Sequence, residues 1–154
     1  MNSSSRSKLS VCLYRPLIPQ NTGNIARLTA ATNSRLDLIK PLGFTIDERN
    51  VRRAGLDYWP FVDLVEHECI EDLLAQYAHH ELAFFSTKAE KIYTEMPKTV
   101  SLLIFGQETK GLPDELKAKY HESLYRIPIL NSGVRSLNLA NSVAIVLYHQ
   151  LMAR

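Results

Sequence analysis

The sequence predicts an α/β protein built on a mainly parallel sheet with helices on both faces, and three features of the chain carry that expectation. Six short apolar runs have strand length, and most are separated by segments with the three- and four-residue apolar spacing of a helix. Strand alternating with helix favours parallel pairing, and strands buried on both faces read as near-continuous apolar runs. The loops leaving several of these runs are rich in Gly, Asn and Ser, and in an open parallel sheet the carboxyl-end loops are where a ligand site belongs.

The elements follow in order. MNSSSRSK, residues 1–8, is a polar lead-in expected to be disordered, and LSVCLY at 9–14 is the first strand. Pro19 ends the extended segment, Asn21 or Thr22 is a candidate cap, and Gly23 lets the chain turn into a helix over 23–33. RLDLI (35–39) and FVDLV (61–65) are strands on either side of a short helical segment near 47–54. CIEDLLAQYA (69–78) reads as a helix between FVDLV and the strand LAFFS (82–86). VSLLIF (100–105) is a strand followed by a helix over 113–120 with Pro113 in first position, and SLYRIPI (123–129) is the last strand. Over 137–152, Leu139, Val143, Val146, Leu147 and Leu151 recur at helical steps, which suits either an internal core helix or a dimer surface. One domain, 9–154, is expected.

Composition narrows the class. The 154 residues are 45% hydrophobic and 22% charged, as in a globular protein with its own core, and the net charge of +2 neither demands nor excludes a nucleic-acid partner. Cys12 and Cys69 lack any metal-ligand spacing and read as free thiols in a reducing compartment. VAIVLY near the end is broken by His149 and Gln150 long before it could cross a bilayer, and the start lacks the apolar core of a secretory signal. A cytoplasmic protein with no membrane association is expected.

Three loops stand out. In IPQNTGNIARL (18–28), Asn24 and Arg27 fall on one helical face and set an amide beside a fork of donors, although an Arg near a helix start opposes the macrodipole. In FGQETKGLP (105–113), Gly106 and Gly111 have the spacing of a phosphate-binding loop, but Leu112 and Pro113 stand where such a loop needs Lys and then Ser or Thr. In RIPILNSGVRSLNLANSVAI (126–145), Ser136 is a candidate cap, while Asn138 and Asn141 sit among apolar residues and need partners if buried. None of the five histidines has metal-ligand spacing, and His79 and His80 are adjacent and cannot share a helix face. No metal is expected.

Together these loops resemble the SPOUT superfamily of RNA methyltransferases, in particular the small TrmL-like tRNA 2′-O-methyltransferases of the wobble nucleotide. The resemblance rests on NTGNIARL (21–28), RRAGLDY (52–58), FGQETKGLP (105–113), IPI (127–129) and SLNLANSVAIVLY (136–148), and it extends from about Leu9 to the end. It implies a parallel-sheet SPOUT fold whose C-terminal part forms a deep trefoil knot. It also implies S-adenosylmethionine as methyl donor, tRNA bound through its anticodon stem-loop, and a homodimer.

Carried over by position, the resemblance implies a cofactor site of Phe85, Thr87, Gly106, Glu108, Gly111, Ile127, Ile129, Ser136 and Leu137. It implies a catalytic group of Arg27, Asn24 and Asn138, and RNA contacts from Arg52, Arg53, Tyr58, Lys88 and Lys110. A guanidinium stays protonated in proteins, so Arg27 suits phosphate binding and alkoxide stabilisation better than literal base catalysis. Beside wobble methylation, the resemblance leaves open the same chemistry at another tRNA or rRNA position and a non-catalytic RNA-binding module of the same fold, while the absent P-loop and dinucleotide fingerprints argue against a small-molecule nucleotide-binding α/β protein.

Overall fold

The computed structural model describes residues 7–46 and 58–154. The expected helix near 47–54, together with Arg52 and Arg53, lies outside the described residues. Among the described residues, seven strands form a single sheet: β1 (Ser10–Tyr14), β2 (Arg35–Ile39), β3 (Asp63–His67), β4 (Leu82–Phe85), β5 (Lys91–Ile92), β6 (Leu102–Phe105) and β7 (Leu124–Arg126). The order is β3-β2-β1-β6-β4-β7-β5 and every pairing is parallel, as the apolar runs predict.

Among the described residues, four α-helices cover the sheet: α1 (Pro19–Ala31), α2 (Ile70–Leu74), α3 (Asp114–Lys119) and α4 (Leu139–Ala153). On one face, Ile25 and Ala26 of α1 and Val143, Val146 and Leu147 of α4 share a core with Val11, Leu13, Leu36, Leu38, Leu103 and Phe105. On the other, Ile70 and Leu73 of α2 and Tyr120 after α3 meet Cys12, Ile39, Phe84 and Ile104, with Tyr120 stacked on Phe84 at 4.5 Å. Each fully buried Leu, Ile or Phe contributes about 1.5–3 kcal/mol, so the two layers rather than helix propensity hold the short helices.

Several expected boundaries move, each for a local reason. α1 starts at Pro19, not at residue 23, because the fixed φ of proline suits the first helical position. Ile18 is therefore the N-cap, and Asn21 and Thr22 are buried in the first turn instead of capping it. Arg27 is consequently the ninth residue of a 13-residue helix, so the expected conflict with the macrodipole at the helix start does not arise.

β3 begins two residues late because a 3₁₀ turn, Trp59–Phe61, occupies the preceding chain, closed by the Phe61 and Val62 amides bonding the Tyr58 and Trp59 carbonyls. α2 stops at Leu74, where the Gln76 and Tyr77 amides turn to the three-residue bonds of a tighter coil. Pro113 is the N-cap of α3 rather than its first residue. β7 ends at Arg126, since Pro128 has no N–H to give a ladder. The two-residue β5 is too short to leave a sequence pattern; it pairs Lys91 with Tyr125 and Ile92 with Arg126.

α4 is a core helix on one side only. Ile145, Tyr148 and Met152 remain exposed on its outer side. Gln150 is fully buried, and its Nε2 donates to the carbonyls of Pro97 (3.0 Å) and Val100 (2.9 Å), which ties the helix to the segment before β6. Among the described residues no helix is long and apolar enough to cross a membrane. At the chain ends, Lys8 pairs with Asp63 at 2.9 Å and Arg154 donates to the Ser7 carbonyl.

Candidate active site

The strand order reverses around β1, which has β2 on one side and β6 on the other. The carboxyl end there is the topological crevice of an open parallel sheet, and two of the three unusual loops meet in it. Glu108, in the loop after β6, accepts the Leu17 amide with both carboxylate oxygens (2.9 and 3.1 Å) and the Ile18 amide with Oε2. These amides lie just ahead of α1, where orphan N–H groups and the helix dipole favour negative charge. Beside it, Gln107 Nε2 donates to the Arg15 carbonyl at 3.0 Å, so two side chains clamp the β6 loop to the β1 loop.

The β6 loop itself is a tight ring. The Gln107 and Gly111 amides bond each other's carbonyls at 3.2 and 2.9 Å, and Gly111 has φ +66°. A Cβ on Gly106 would lie 2.3 Å from the Gly111 carbonyl carbon and 2.4 Å from the Leu112 nitrogen. Glycine at 106 is thus required by backbone packed on backbone, and at 111 it is favoured by the sign of φ.

The third loop, residues 127–138, joins the first through its last residue. Asn138 is the N-cap of α4: its Oδ1 accepts the Asn141 amide at 3.2 Å, and its Nδ2 donates to Asn21 Oδ1 in the first turn of α1 at 3.1 Å. This corrects the expectation of a Ser136 cap; Ser136, Asn138 and Asn141 are all exposed. Inside the loop, Asn131 accepts the Gly133 and Val134 amides, while Leu130 is 97% exposed.

The proposed cofactor positions gather at the carboxyl ends of β6, β4 and β7, three strands that are neighbours in the sheet. Phe85 ends β4, buried and stacked on Phe105 at 4.7 Å, with Thr87 exposed two residues on. Gly106 and Gly111 follow β6, and Ile127, Ile129 and Leu137 are half-buried after β7. Glu108 shares this edge, but its carboxylate is engaged by the protein's own backbone, so its part is to hold the loop. Lys88 and Lys110 are exposed on the same edge.

Asn24 and Arg27 continue the row begun by Asn21 at three-residue steps along α1, both exposed. Arg27 Cζ lies 6.0 Å from the centre of the Tyr58 ring, and the Tyr58 hydroxyl donates to the Gly23 carbonyl at 3.2 Å. Burial pushes the Tyr58 phenol up, against the pull of the Arg27 guanidinium, so it remains a donor. No hydrogen bond among the described residues joins the Arg27 side chain to the β6 loop or to the 127–138 loop. Tyr58 therefore belongs with Arg27 on the helical face, apart from Lys88 and Lys110.

Sequence reasoning missed three groups. Asn21 was legible as a cap but not as the partner of Asn138, and Gln107 gave no signal. Asp37, fully buried, accepts Arg35 (2.6 and 2.9 Å) and contacts His67 Nε2 at 2.7 Å; a charge inside the apolar run RLDLI was its visible mark.

Comparisons with known proteins agree with this fold. A family model described as SpoU rRNA Methylase family matches residues 8–148. A Bacillus subtilis protein named as a candidate tRNA (cytidine(34)-2′-O)-methyltransferase is 44% identical over 147 residues, covering 93% of this chain and 91% of that protein. A solved structure described as giving insights into the 2-OH methylation of C/U34 on tRNA superposes with a TM-score of 0.85 at 40% identity, covering 96% of this chain and 98% of that one. An AdoMet-bound rRNA methyltransferase from Sinorhizobium meliloti shares the fold, with a TM-score of 0.80 at 24% identity over 96% of this chain and 57% of its own.

Proposed function

The chain belongs to the SpoU rRNA Methylase family, and on that premise we propose that it transfers a methyl group from S-adenosylmethionine to the ribose 2′-hydroxyl of the wobble nucleotide of tRNA. The observation that carries this reading is the clamp of the β6 loop onto α1, because it joins the edge suited to the cofactor to the helix that bears Asn24 and Arg27.

The residues present fit the cofactor. Phe85, Ile127, Ile129 and Leu137 offer apolar walls for adenine, Gly106 and Gly111 bring bare backbone close, and Thr87 and Ser136 add exposed hydroxyls. When bound, the cofactor supplies a methyl group already activated on a sulfonium. The remaining work of the protein is to align the 2′-hydroxyl in line with that methyl and help its proton leave.

Arg27 binds phosphate and stabilises charge developing on the ribose oxygen, with Tyr58 supporting its guanidinium from beside it. Asn24 orients the same nucleotide, and Asn138 fixes the 127–138 loop against α1. Lys88 and Lys110 contact the RNA backbone, as Arg52 and Arg53 would. The reading includes a trefoil knot in the C-terminal part of the chain, the anticodon stem-loop as docking element, and a cytoplasmic homodimer.

The test is incubation with labelled S-adenosylmethionine and unmodified tRNA transcripts, followed by digestion and mass spectrometry of the RNA. A 2′-O-methyl group at the wobble nucleotide is expected; transfer to another position overturns the substrate assignment. Arg27→Ala should abolish transfer while calorimetry still reads cofactor binding, and normal turnover by that variant would remove the role given to Arg27.

A further inference from the structure

We infer that the turn Tyr58–Phe61 is a stacking platform for an unpaired base of the RNA loop, with Phe61 as the contacting ring. The inference rests on the function proposed above and deepens it, naming a recognition element next to Arg27.

Phe61 is 74% exposed, an unusual position for a side chain that normally dominates a core. It is also rigidly presented. Trp59 and Val62 on either side pack against the core beneath α1, Tyr58 is tied to Gly23, and the turn is closed by hydrogen bonds of 2.9 and 3.1 Å. A ring displayed from an anchored turn has two side-chain torsions to order on binding, so a contact there costs little entropy.

The surroundings suit RNA. Arg27 is the cation at one end of the turn, and Asp63, the carboxylate just past the other end, is paired with Lys8 at 2.9 Å and so opposes a phosphate less. Proteins that read single-stranded RNA loops stack splayed bases on aromatic rings, and Phe61, three residues along the same turn from the Tyr58 ring that lies beside Arg27, is placed for the base of a flanking nucleotide.

The test uses anticodon stem-loop RNAs, intact or with an abasic nucleotide on either side of the target, against wild type, Phe61→Ala, Phe61→Leu and Phe61→Tyr. Phe61→Ala should raise KM for RNA about ten-fold with kcat little changed. Phe61→Tyr should restore KM and Phe61→Leu should not, which separates stacking from mere apolar contact. One abasic position should weaken wild type to the level of Phe61→Ala and cost that variant nothing more.

An unchanged KM in Phe61→Ala, rescue by leucine, or an abasic penalty that persists without the ring would overturn the platform. So would a changed oligomeric state in Phe61→Ala by sedimentation, which would make this face a protein contact. If wild type fails to methylate the wobble ribose, the proposed function falls; the same comparison read by binding anisotropy still decides the platform.

Discussion

Asn138 serves two helices at once: its Oδ1 accepts the Asn141 amide to cap α4, and its Nδ2 donates to Asn21 Oδ1 in the first turn of α1. Asn138→Asp keeps the capping oxygen and removes the donor, whereas Asn138→Ala removes both. Thermal unfolding should show Asn138→Ala less stable by about 1 kcal/mol, the ordinary worth of a cap, and Asn138→Asp less affected. Methyl transfer should fall in both, and full activity in Asn138→Asp would mean that the tie to α1 is dispensable.

The Glu108 clamp predicts a second pair of variants. Glu108→Ala leaves the Leu17 and Ile18 amides without their acceptor and should cost about 1–3 kcal/mol in chemical denaturation. Glu108→Gln retains one acceptor oxygen and should lose less. In both, cofactor affinity read by calorimetry should weaken if the β6 loop is the proposed cofactor edge, because this carboxylate holds that loop.

The two glycines of the β6 loop should respond differently to alanine. At Gly106 the new Cβ would meet backbone at 2.3 Å, which cannot give way, so Gly106→Ala should abolish cofactor binding. At Gly111 nothing lies within 4 Å, and the cost is that of φ +66° alone, about 1 kcal/mol for a non-glycine residue. Gly111→Ala should therefore fold and bind with modest loss, and equal effects of the two substitutions in melting and calorimetry would contradict the geometry.

Cys12 gives a prediction in pH. Burial, followed by the charge of Asp37 across the β1–β2 register, raises its thiol well above the ordinary value. A raised value in the folded state means that this contribution to stability is complete below the thiol value of the unfolded chain and is lost as pH rises above it, beyond about 8.5. Denaturant unfolding of wild type should weaken across that alkaline range, and Cys12→Ala should lack this component. In the native protein a thiol reagent at neutral pH should label the half-buried Cys69 and spare Cys12 until unfolding.

The parallel sheet was legible because β1, β2, β4 and β6 are buried on both faces, and such strands must be apolar at nearly every position. The edge strands β3 and β5 were misjudged or missed, since a half-exposed or two-residue strand carries too few apolar residues to set a period. The site was legible in part. Gly106, Gly111, Asn24, Arg27 and Asn138 were marked by residue type, because turns, amides and a lone arginine in a helix are visible one at a time. Their partners were not.

The sequence by itself determined the layers, the carboxyl-end loops and the residue types that can do chemistry there, since these follow from local spacing and backbone preference. Only the tertiary structure decided that Glu108 serves the amides before α1, that Asn21 answers Asn138 and that Arg27 lies beside Tyr58. Those contacts join residues 90, 117 and 31 positions apart. Pairings at such separations are set by which strands become neighbours in the sheet, and no periodicity along the chain records that choice.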